Sequence, residues 1–392
     1  MSDCMSREQT DEKTRYQATL LANRLSRTYK QLRKWARRER VTCYRLYDKD
    51  IPEIPLAVDI YEFLPAEVHT KAEAAQFLRD QTAAISANDA TAITGAESRR
   101  WLHLFLYERP YQKDESEEQA WLTAMLDAAC TVLHIPRAHV ITKLRKRQRG
   151  NSQYERLTET TTAVSADSAT TGIGVVQECG ELFIVNLRDY LDTGLFFDHR
   201  PLRALVRATA NKKRVLNLFC YTGSFSVYAA EGGAYSVDSV DASNTYLDWA
   251  RKNLALNGFH NQARYRYIRS DVIAFLDTTL ASLQQNGAAA TENRYDLIIL
   301  DPPTFSNSKR TQTLLDINRD WSMLCTKCLS LLSDKGTLYF STNSRRLVFD
   351  VTLLPKTIRT STVVVTDITA QSLPQDFATS KNRRCWKIQL SS

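Results

Sequence analysis

The chain has 392 residues, enough for two or three domains, and 43% of them are apolar, enough for packed cores. Lysine and arginine exceed aspartate and glutamate by 52 to 44, a balance of +8 that suits a polyanionic partner. No apolar run reaches membrane-spanning length, the polar start (Met1 to Arg15) lacks a signal-peptide stretch, and eight unevenly spaced cysteines form no disulfide framework. A cytoplasmic protein is expected.

Residues 1–18 read as a polar, disordered or linker-like lead. Residues 19–165 read as a small, basic α+β domain for RNA binding or an accessory role. It opens with an amphipathic helix in which Arg24, Arg27, Lys30, Arg33, Lys34, Arg37, Arg38 and Arg40 overlie Leu21, Leu25, Leu32, Trp35 and Ala36. Glu39 is the one acid among these cations. Strands follow at Val41 to Tyr47, Leu56 to Tyr61 and Trp101 to Tyr107, with a helix over Glu118 to Leu133. Ala87 to Ser98, Arg109 to Glu117 and Thr158 to Thr171 read as exposed loops. A second basic cluster, Lys143, Arg145, Lys146, Arg147 and Arg149, precedes Gly150. Either cluster alone fits a solvated face; two in one domain point to nucleic acid.

Residues 166–211 carry connecting strands near Val175 to Val176 and Leu182 to Leu187. They end in a loop, Y-L-D-T-G-L-F-F-D-H-R, from Tyr190 to Arg200. From 212 to 392 the rhythm becomes strand, helix, strand, helix. Strands are expected at Arg214 to Phe219, Tyr235 to Val240, Arg264 to Ile268, Tyr295 to Leu300 and Gly336 to Ser341. Helices are expected at Phe225 to Glu231, Ser243 to Asn257, Asp271 to Leu283 and Thr313 to Leu332, and strands at Ser361 to Val365 and Cys385 to Leu390 close the chain. This alternation means an α/β, Rossmann-like, doubly wound and mostly parallel sheet with its site above the strands' carboxyl ends. Cys325 and Cys328 form one C-x-x-C inside a helical pattern with no second pair, so they read as structural, and no metal is expected.

The segment R-Y-D-L-I-I-L-D-P-P-T-F-S-N-S-K-R (Arg294 to Arg310) ends a β-branched apolar run at Asp301, where Pro302 and Pro303 forbid the strand to continue. A carboxylate and proline-fixed carbonyls then face a ligand with N–H donors. The first turn of the sheet, V-L-N-L-F-C-Y-T-G-S (Val215 to Ser224), has a single glycine. Neither G-x-G-x-x-G nor a P-loop is present, so a phosphate-bearing nucleotide is disfavoured. Asp241 ends the second strand, placed for ribose hydroxyls, and Asp271 follows the third in R-S-D-V, placed for an adenine amine. Each would be unremarkable as a helix cap. Three acids at successive strand ends without phosphate glycines favour S-adenosylmethionine, which becomes S-adenosylhomocysteine.

With these motifs in view, the chain resembles the 7-methylguanosine half of the bacterial bifunctional large-subunit (23S) rRNA methyltransferases, class I enzymes that use S-adenosylmethionine. The resemblance runs from about Ala22 to the C-terminus. It rests on N-R-L-S-R-T-Y-K-Q-L-R-K-W-A, C-Y-R-L-Y-D-K-D-I-P-E, Y-L-D-T-G-L-F-F-D-H-R, N-L-F-C-Y-T-G-S, D-P-P-T-F-S-N-S-K-R and L-P-Q-D-F-A (Leu373 to Ala378). It implies transfer of a methyl group to N7 of a guanosine in 23S rRNA or a large-subunit precursor. Two departures stand out. The bifunctional relatives carry an upstream RNA-binding and guanine-N2 methylating half, so this chain reads as a free-standing version or a separated half that a separate protein would complement. Arg383-Arg384 also stand where the family has an Ile-His pair before Cys385-Trp386.

The resemblance and the residues together set the expected roles. Asp301 with Pro302 and Pro303 would accept from the base, and Phe305 would stack on it or belong to the core. Phe219, Tyr221 and Gly223 would border the methionine part of the donor. Asp198 and Arg200 would touch the donor or form scaffold ion pairs, and Gln375 to Phe377 would form a far wall. Arg33, Lys34, Arg37, Lys143, Arg145, Arg147, Lys309 and Arg310 would meet RNA. Guanine N2 and cytosine C5 remain alternative targets, as does a noncatalytic RNA-binding or assembly factor on the same fold; no cysteine follows Asp-Pro-Pro, which weakens the cytosine reading.

Overall fold

The computed structural model describes residues 2–109, 111, 113–145, 171–285, 294–307, 314–378 and 383–391. The chain divides into two compact units, Met1–Thr193 and Gly194–Ser392, with the boundary inside the stretch expected to connect them.

In the first unit, α1 (Ser2–Arg38) lies along a four-stranded sheet of order β1-β2-β3-β4. β1 (Cys43–Asp48), β2 (Leu56–Glu62) and β3 (Arg100–Tyr107) run antiparallel, and β4 (Val140–Arg145) joins parallel to β3. Leu21, Leu25 and Leu32 of α1 interlock with Met125 and Ala129 of α4 (Glu115–Leu133) and with Val58, Leu102 and Leu104 of the sheet. Each such buried side chain contributes about 1.5–3 kcal/mol. β5 (Ile173–Glu178) and β6 (Glu181–Asn186) form a hairpin whose two turn residues, Cys179 and Gly180, have φ of 52° and 96°, the signs a tight turn between twisted strands requires.

Three expectations in this unit are corrected. The lead at 1–18 is not linker-like but the first half of α1; Gln17 is buried there and accepts a 2.7 Å bond from the Trp121 indole, which fixes it to α4. The stretch 87–98, read as a loop, contains α3 (Ala90–Ser98), capped by the Asp89 carboxylate on the amides of Thr91 and Ala92. Before it lies α2 (Lys71–Ser86), which the sequence reading missed; a capping box between Thr70 and Glu73 starts it. Caps rather than apolar periodicity define both helices. Finally, Lys143 is not offered to RNA: it lies on β4, is buried, and its ammonium donates to the Tyr190 carbonyl. Strand alternation sends it inward, where the carbonyl satisfies it.

The second unit is built on an eight-stranded sheet of order β14-β15-β16-β13-β10-β7-β8-β9. β7 (Arg214–Leu218), β8 (Ser236–Asp241), β9 (Tyr265–Arg269), β10 (Tyr295–Leu300) and β13 (Leu332–Thr342) are parallel. β14 (Thr357–Ile358), β15 (Ser361–Asp367) and β16 (Arg384–Ser391) complete an antiparallel edge. Helices α5 (Arg200–Thr209), α6 (Ser224–Glu231), α7 (Asn244–Leu256), α8 (Val272–Gln285) and α9 (Ile317–Leu331) connect the strands. From β7 the chain winds outward through β8 and β9, then returns to place β10 on the other side of β7. That reversal opens a crevice at the strands' carboxyl ends, where such sheets bind ligands.

The expected helix over 313–332 starts later, at Ile317, because β11 (Phe305–Asn307) and β12 (Leu314–Asp316) pair antiparallel and Asp316 caps the helix at the Asn318 amide. Cys325 and Cys328 are fully buried in α9 within the core, as structural cysteines should be. Among the described residues, no helix is long and apolar enough to cross a membrane.

Candidate active site at the sheet switch point

The turn after β7 is built by backbone geometry that few residues adopt. Phe219, Tyr221 and Gly223 all have positive φ, at 54°, 49° and 74°. For aromatic residues this is an outlier, and such strain concentrates at functional sites. Gly223 is required twice over, because a Cβ there would also stand 2.6 Å from the Ala250 Cβ. The turn is held on three sides. The Tyr221 amide donates to Asp241 Oδ2 at 3.0 Å, the Asn253 side chain to the Thr222 carbonyl at 2.9 Å, and the Thr222 hydroxyl to the Gly194 carbonyl at 2.6 Å. The last bond ties the G-L-F-F-D-H-R segment to the β7 turn. Phe196, Tyr246 and Trp249 gather around Tyr221, with ring centroids 5.2, 4.7 and 6.5 Å away.

Asp241 ends β8, and its Oδ1 also accepts from the Ser243 amide at 2.9 Å. Burial pushes its carboxyl up to about 6, against the pull of the Ser243, Tyr221 and Ala242 amides. Asp271 follows β9 and spends Oδ1 on the amides of Ile273 and Ala274, the first turn of α8. Asp271 therefore acts as a helix cap through Oδ1. The half-buried Phe219, Tyr221, Asp241 and Asp271 stand at the carboxyl ends of adjacent strands. The set suits an adenosine: carboxylates for hydroxyl and amine donors, aromatic walls, and no glycine-rich cradle for phosphate.

Asp301 stands at the end of β10, across the switch point from the β7 turn. The Ser341 hydroxyl donates to its Oδ1, and His199 Nδ1 is 3.2 Å from its Oδ2. His199 is 3% exposed, and burial first, then Arg383 and Arg203, hold its imidazole well below the usual range. It is neutral at pH 7, and the Asp301 contact assigns its proton to Nδ1. Burial pushes Asp301 up to about 6, although Arg383 and the Ser341 bond both draw it down. At neutral pH Asp301 is mainly an anion, with one donor on each oxygen among the described residues. Pro302 is buried, Pro303 half-buried and Phe305 45% exposed, so Phe305 is not a core residue.

Two expected donor contacts in the loop before α5 part company. Asp198 stays half-buried, with its carboxylate 3.9 Å from His199 Nε2. Arg200 is buried and makes a 2.8 Å ion pair with the fully buried Asp376. That is the scaffold pairing, and it binds the D-H-R segment to the L-P-Q-D-F-A segment. Sequence reasoning missed His199 and Ser341; the position of His199 between Asp198 and Arg200 was the available signal. Arg383, set apart by sequence as a departure from the family, is buried beside Asp301 and donates to the Asp198 carbonyl. Its Nε and Nη2 have no protein partner among the described residues. Arg33, Lys34 and Arg37 are exposed on α1, whereas the Arg145 side chain, Arg147, Lys309 and Arg310 lie outside the described residues.

The family model for S-adenosylmethionine-dependent methyltransferases matches residues 99–378. The chain is 39% identical over 374 residues to the ribosomal RNA large subunit methyltransferase K of Neisseria meningitidis serogroup B, covering 95% of this chain and 88% of that protein. It is 41% identical over 372 residues to the ribosomal RNA large subunit methyltransferase K/L of Stutzerimonas stutzeri, covering 94% of this chain but only 42% of that relative's length. Among solved structures, SMU.776 complexed with SAH superposes with a TM-score of 0.63 at 20% identity, over 95% of this chain and 81% of that one. Its likeness concerns the fold. The strand-end carboxylates, the strained β7 turn and these matches place the chain in the S-adenosylmethionine-dependent methyltransferase family.

Proposed function

We propose that this chain transfers a methyl group from S-adenosylmethionine to N7 of a guanosine in large-subunit (23S) rRNA. The observation that carries the reading is the Asp301 carboxylate, anionic at neutral pH and braced by Ser341 and His199. When bound, the cofactor supplies a methyl group on a sulfonium, and the remaining work is positioning. Asp301 and the Pro302–Pro303 carbonyls accept from the N1–H and N2 amine edge of guanine, and the exposed Phe305 stacks on the ring. N7 bears a lone pair and no proton at neutral pH, so a neutral, buried His199 that holds Asp301 suffices and no general base is needed. Phe219, Tyr221, Gly223, Asp241, Asp271 and Asp198 hold the donor.

A cytosine-C5 enzyme needs a thiolate. Cys220 and Cys385 are buried, and burial pushes the Cys220 thiol well up and that of Cys385 to about 12, so neither serves. The names of the relatives support a ribosomal substrate, and the exposed Arg33, Lys34 and Arg37 suit its phosphates. Asp301→Ala tests the assignment: donor affinity should persist while transfer to RNA is lost. Retained transfer would remove Asp301 from the mechanism.

A further inference from the structure

In the first unit, α1, α2 and the β1–β2–β3 face enclose a cleft of ≈ 640 Å³, within the range (roughly 300–1,000 Å³) of clefts that hold small ligands. Six arginines line it: Arg33, Arg37, Arg38 and Arg40 at the end of α1, Arg79 from α2, and Arg100 from β3. Glu62 is the one carboxylate in the lining, and it is already engaged by Arg100 at 3.4 Å and by the Gln81 amide at 2.7 Å. Arg38 pairs with Glu39 at 3.0 Å, and Arg79 bonds the uncharged Gln76 and forms no ion pair among the described residues. Arg33 and Arg37 are exposed and form no ion pair among the described residues.

The interior differs from this rim. Tyr29, Tyr44, Leu78 and Ile85 supply an apolar and aromatic lining, with Tyr29 half-buried. Helical spacing produces the arrangement: Tyr29, Arg33, Ala36 and Arg37 follow one face of α1, Arg40 stands in the turn just beyond it, and Leu21, Leu25 and Leu32 face the core. A solvated basic face needs no such lining. Cations around a ring-bearing hollow match the chemistry of an unpaired nucleotide, whose phosphates seek arginine and whose base seeks an aromatic face.

We propose that this cleft captures one unpaired nucleotide of the RNA, with its flanking phosphates on Arg33, Arg37 and Arg79 and its base against Tyr29. The inference rests on the RNA substrate proposed above and adds a second holding point, distinct from the Asp301 site.

The test uses the full chain and a fluorescein-labelled, single-stranded 12-mer RNA of mixed sequence. Arg33→Ala/Arg37→Ala is compared with Arg27→Ala/Lys30→Ala, which removes the same charge from exposed α1 positions outside the cleft. Binding of S-adenosylhomocysteine confirms that each variant is folded. The cleft double variant should weaken RNA binding roughly tenfold or more and flatten the salt slope by about 1.4, near 0.7 for each lost phosphate contact on a single strand. The control should do neither. In Tyr29→Leu, the preference for the intact 12-mer over one carrying stable abasic residues should shrink roughly fivefold or more.

Equal losses in the two double variants, or none in either, would overturn the cleft as a site. An unchanged preference in Tyr29→Leu would overturn base capture. Poly-L-glutamate bound as tightly as RNA, and lost in the same double variant, would replace the nucleotide with an acidic polypeptide. 7-Methylguanosine production with both double variants binding alike sinks the cleft and spares the catalytic reading. RNA held by the cleft but methylated elsewhere than N7 does the reverse. No RNA binding by the unaltered chain sinks both.

Discussion

His199→Ala removes the imidazole 3.2 Å from Asp301 Oδ2 and leaves Ser341 as the only donor on that carboxylate among the described residues. A hydrogen bond to a charged group contributes about 1.5–3 kcal/mol, and Asp301 already ionises against burial, so the anion should lose roughly that much support. Each 1.4 kcal/mol is about tenfold, so transfer at pH 7 should fall roughly ten- to hundredfold. The sign for pH follows from the direction of the shift. The working form of Asp301 is the anion, and its carboxyl sits at about 6, so transfer is full above that pH and is lost as pH falls through it. In His199→Ala the acid limb of the pH–rate profile should move upward by about one to two units. His199→Asn, which keeps an N–H donor, should recover part of both changes. The assay is single-turnover methyl transfer to RNA from pH 5 to 9, with donor affinity measured in parallel. An unchanged limb and an unchanged rate in His199→Ala would refute the bracing role; an unchanged limb with a lower rate would reduce His199 to packing.

If Asp241 holds the ribose as proposed, Asp241→Asn should weaken S-adenosylhomocysteine binding on the order of a hundredfold by calorimetry, since charge-assisted bonds would become neutral ones. In the unaltered chain the same affinity should fall as pH drops below about 6, where Asp241 protonates. Arg200→Ala removes the cation paired with the buried Asp376 carboxylate and should cost about 3–5 kcal/mol in urea unfolding, whereas Arg200→Ala/Asp376→Asn should recover much of it. A large loss of donor affinity with unchanged stability would instead make Arg200 a donor contact. Burial raises the Asp301 carboxyl above its ordinary range, so ionisation lowers stability as pH rises from about 4 to about 6 and the deficit stays constant above. Asp301→Asn should therefore be the more stable protein at pH 7.5, by up to about 3 kcal/mol, with the gap closing towards pH 4; equal stability at both pH values would contradict the burial argument.

Where the sequence was legible, a local rule and the tertiary structure agreed. The Leu297–Leu300 run that stops at Asp301, and the lone glycine of the β7 turn, follow from strand and turn chemistry, and the structure puts both at the switch point. Asp241 and Asp271 were readable as strand-end acids, but their division into a two-amide bridge and a helix cap was not, since it depends on which backbone amides lie opposite. His199 and Ser341 were hidden because they lie 102 and 40 residues from Asp301 and meet it only through the fold. Lys143 was misread for a related reason: a run of cations looks uniform in sequence, yet strand alternation turns its members to opposite faces. The helices at 71–86 and 90–98 escaped notice because small residues and caps define them, with little apolar stripe to betray the period.

The target atom on the base is what the proposed chemistry turns on. The direct measurement incubates the chain with labelled S-adenosylmethionine and large-subunit rRNA lacking its modifications, then digests the RNA to nucleosides for mass spectrometry. Label is expected in 7-methylguanosine. Label in N2-methylguanosine would keep the donor site and contradict the role given to Asp301. Label in 5-methylcytidine would demand a thiolate that the buried Cys220 and Cys385 do not provide. Binding of the donor with no transfer to RNA would contradict the catalytic reading itself.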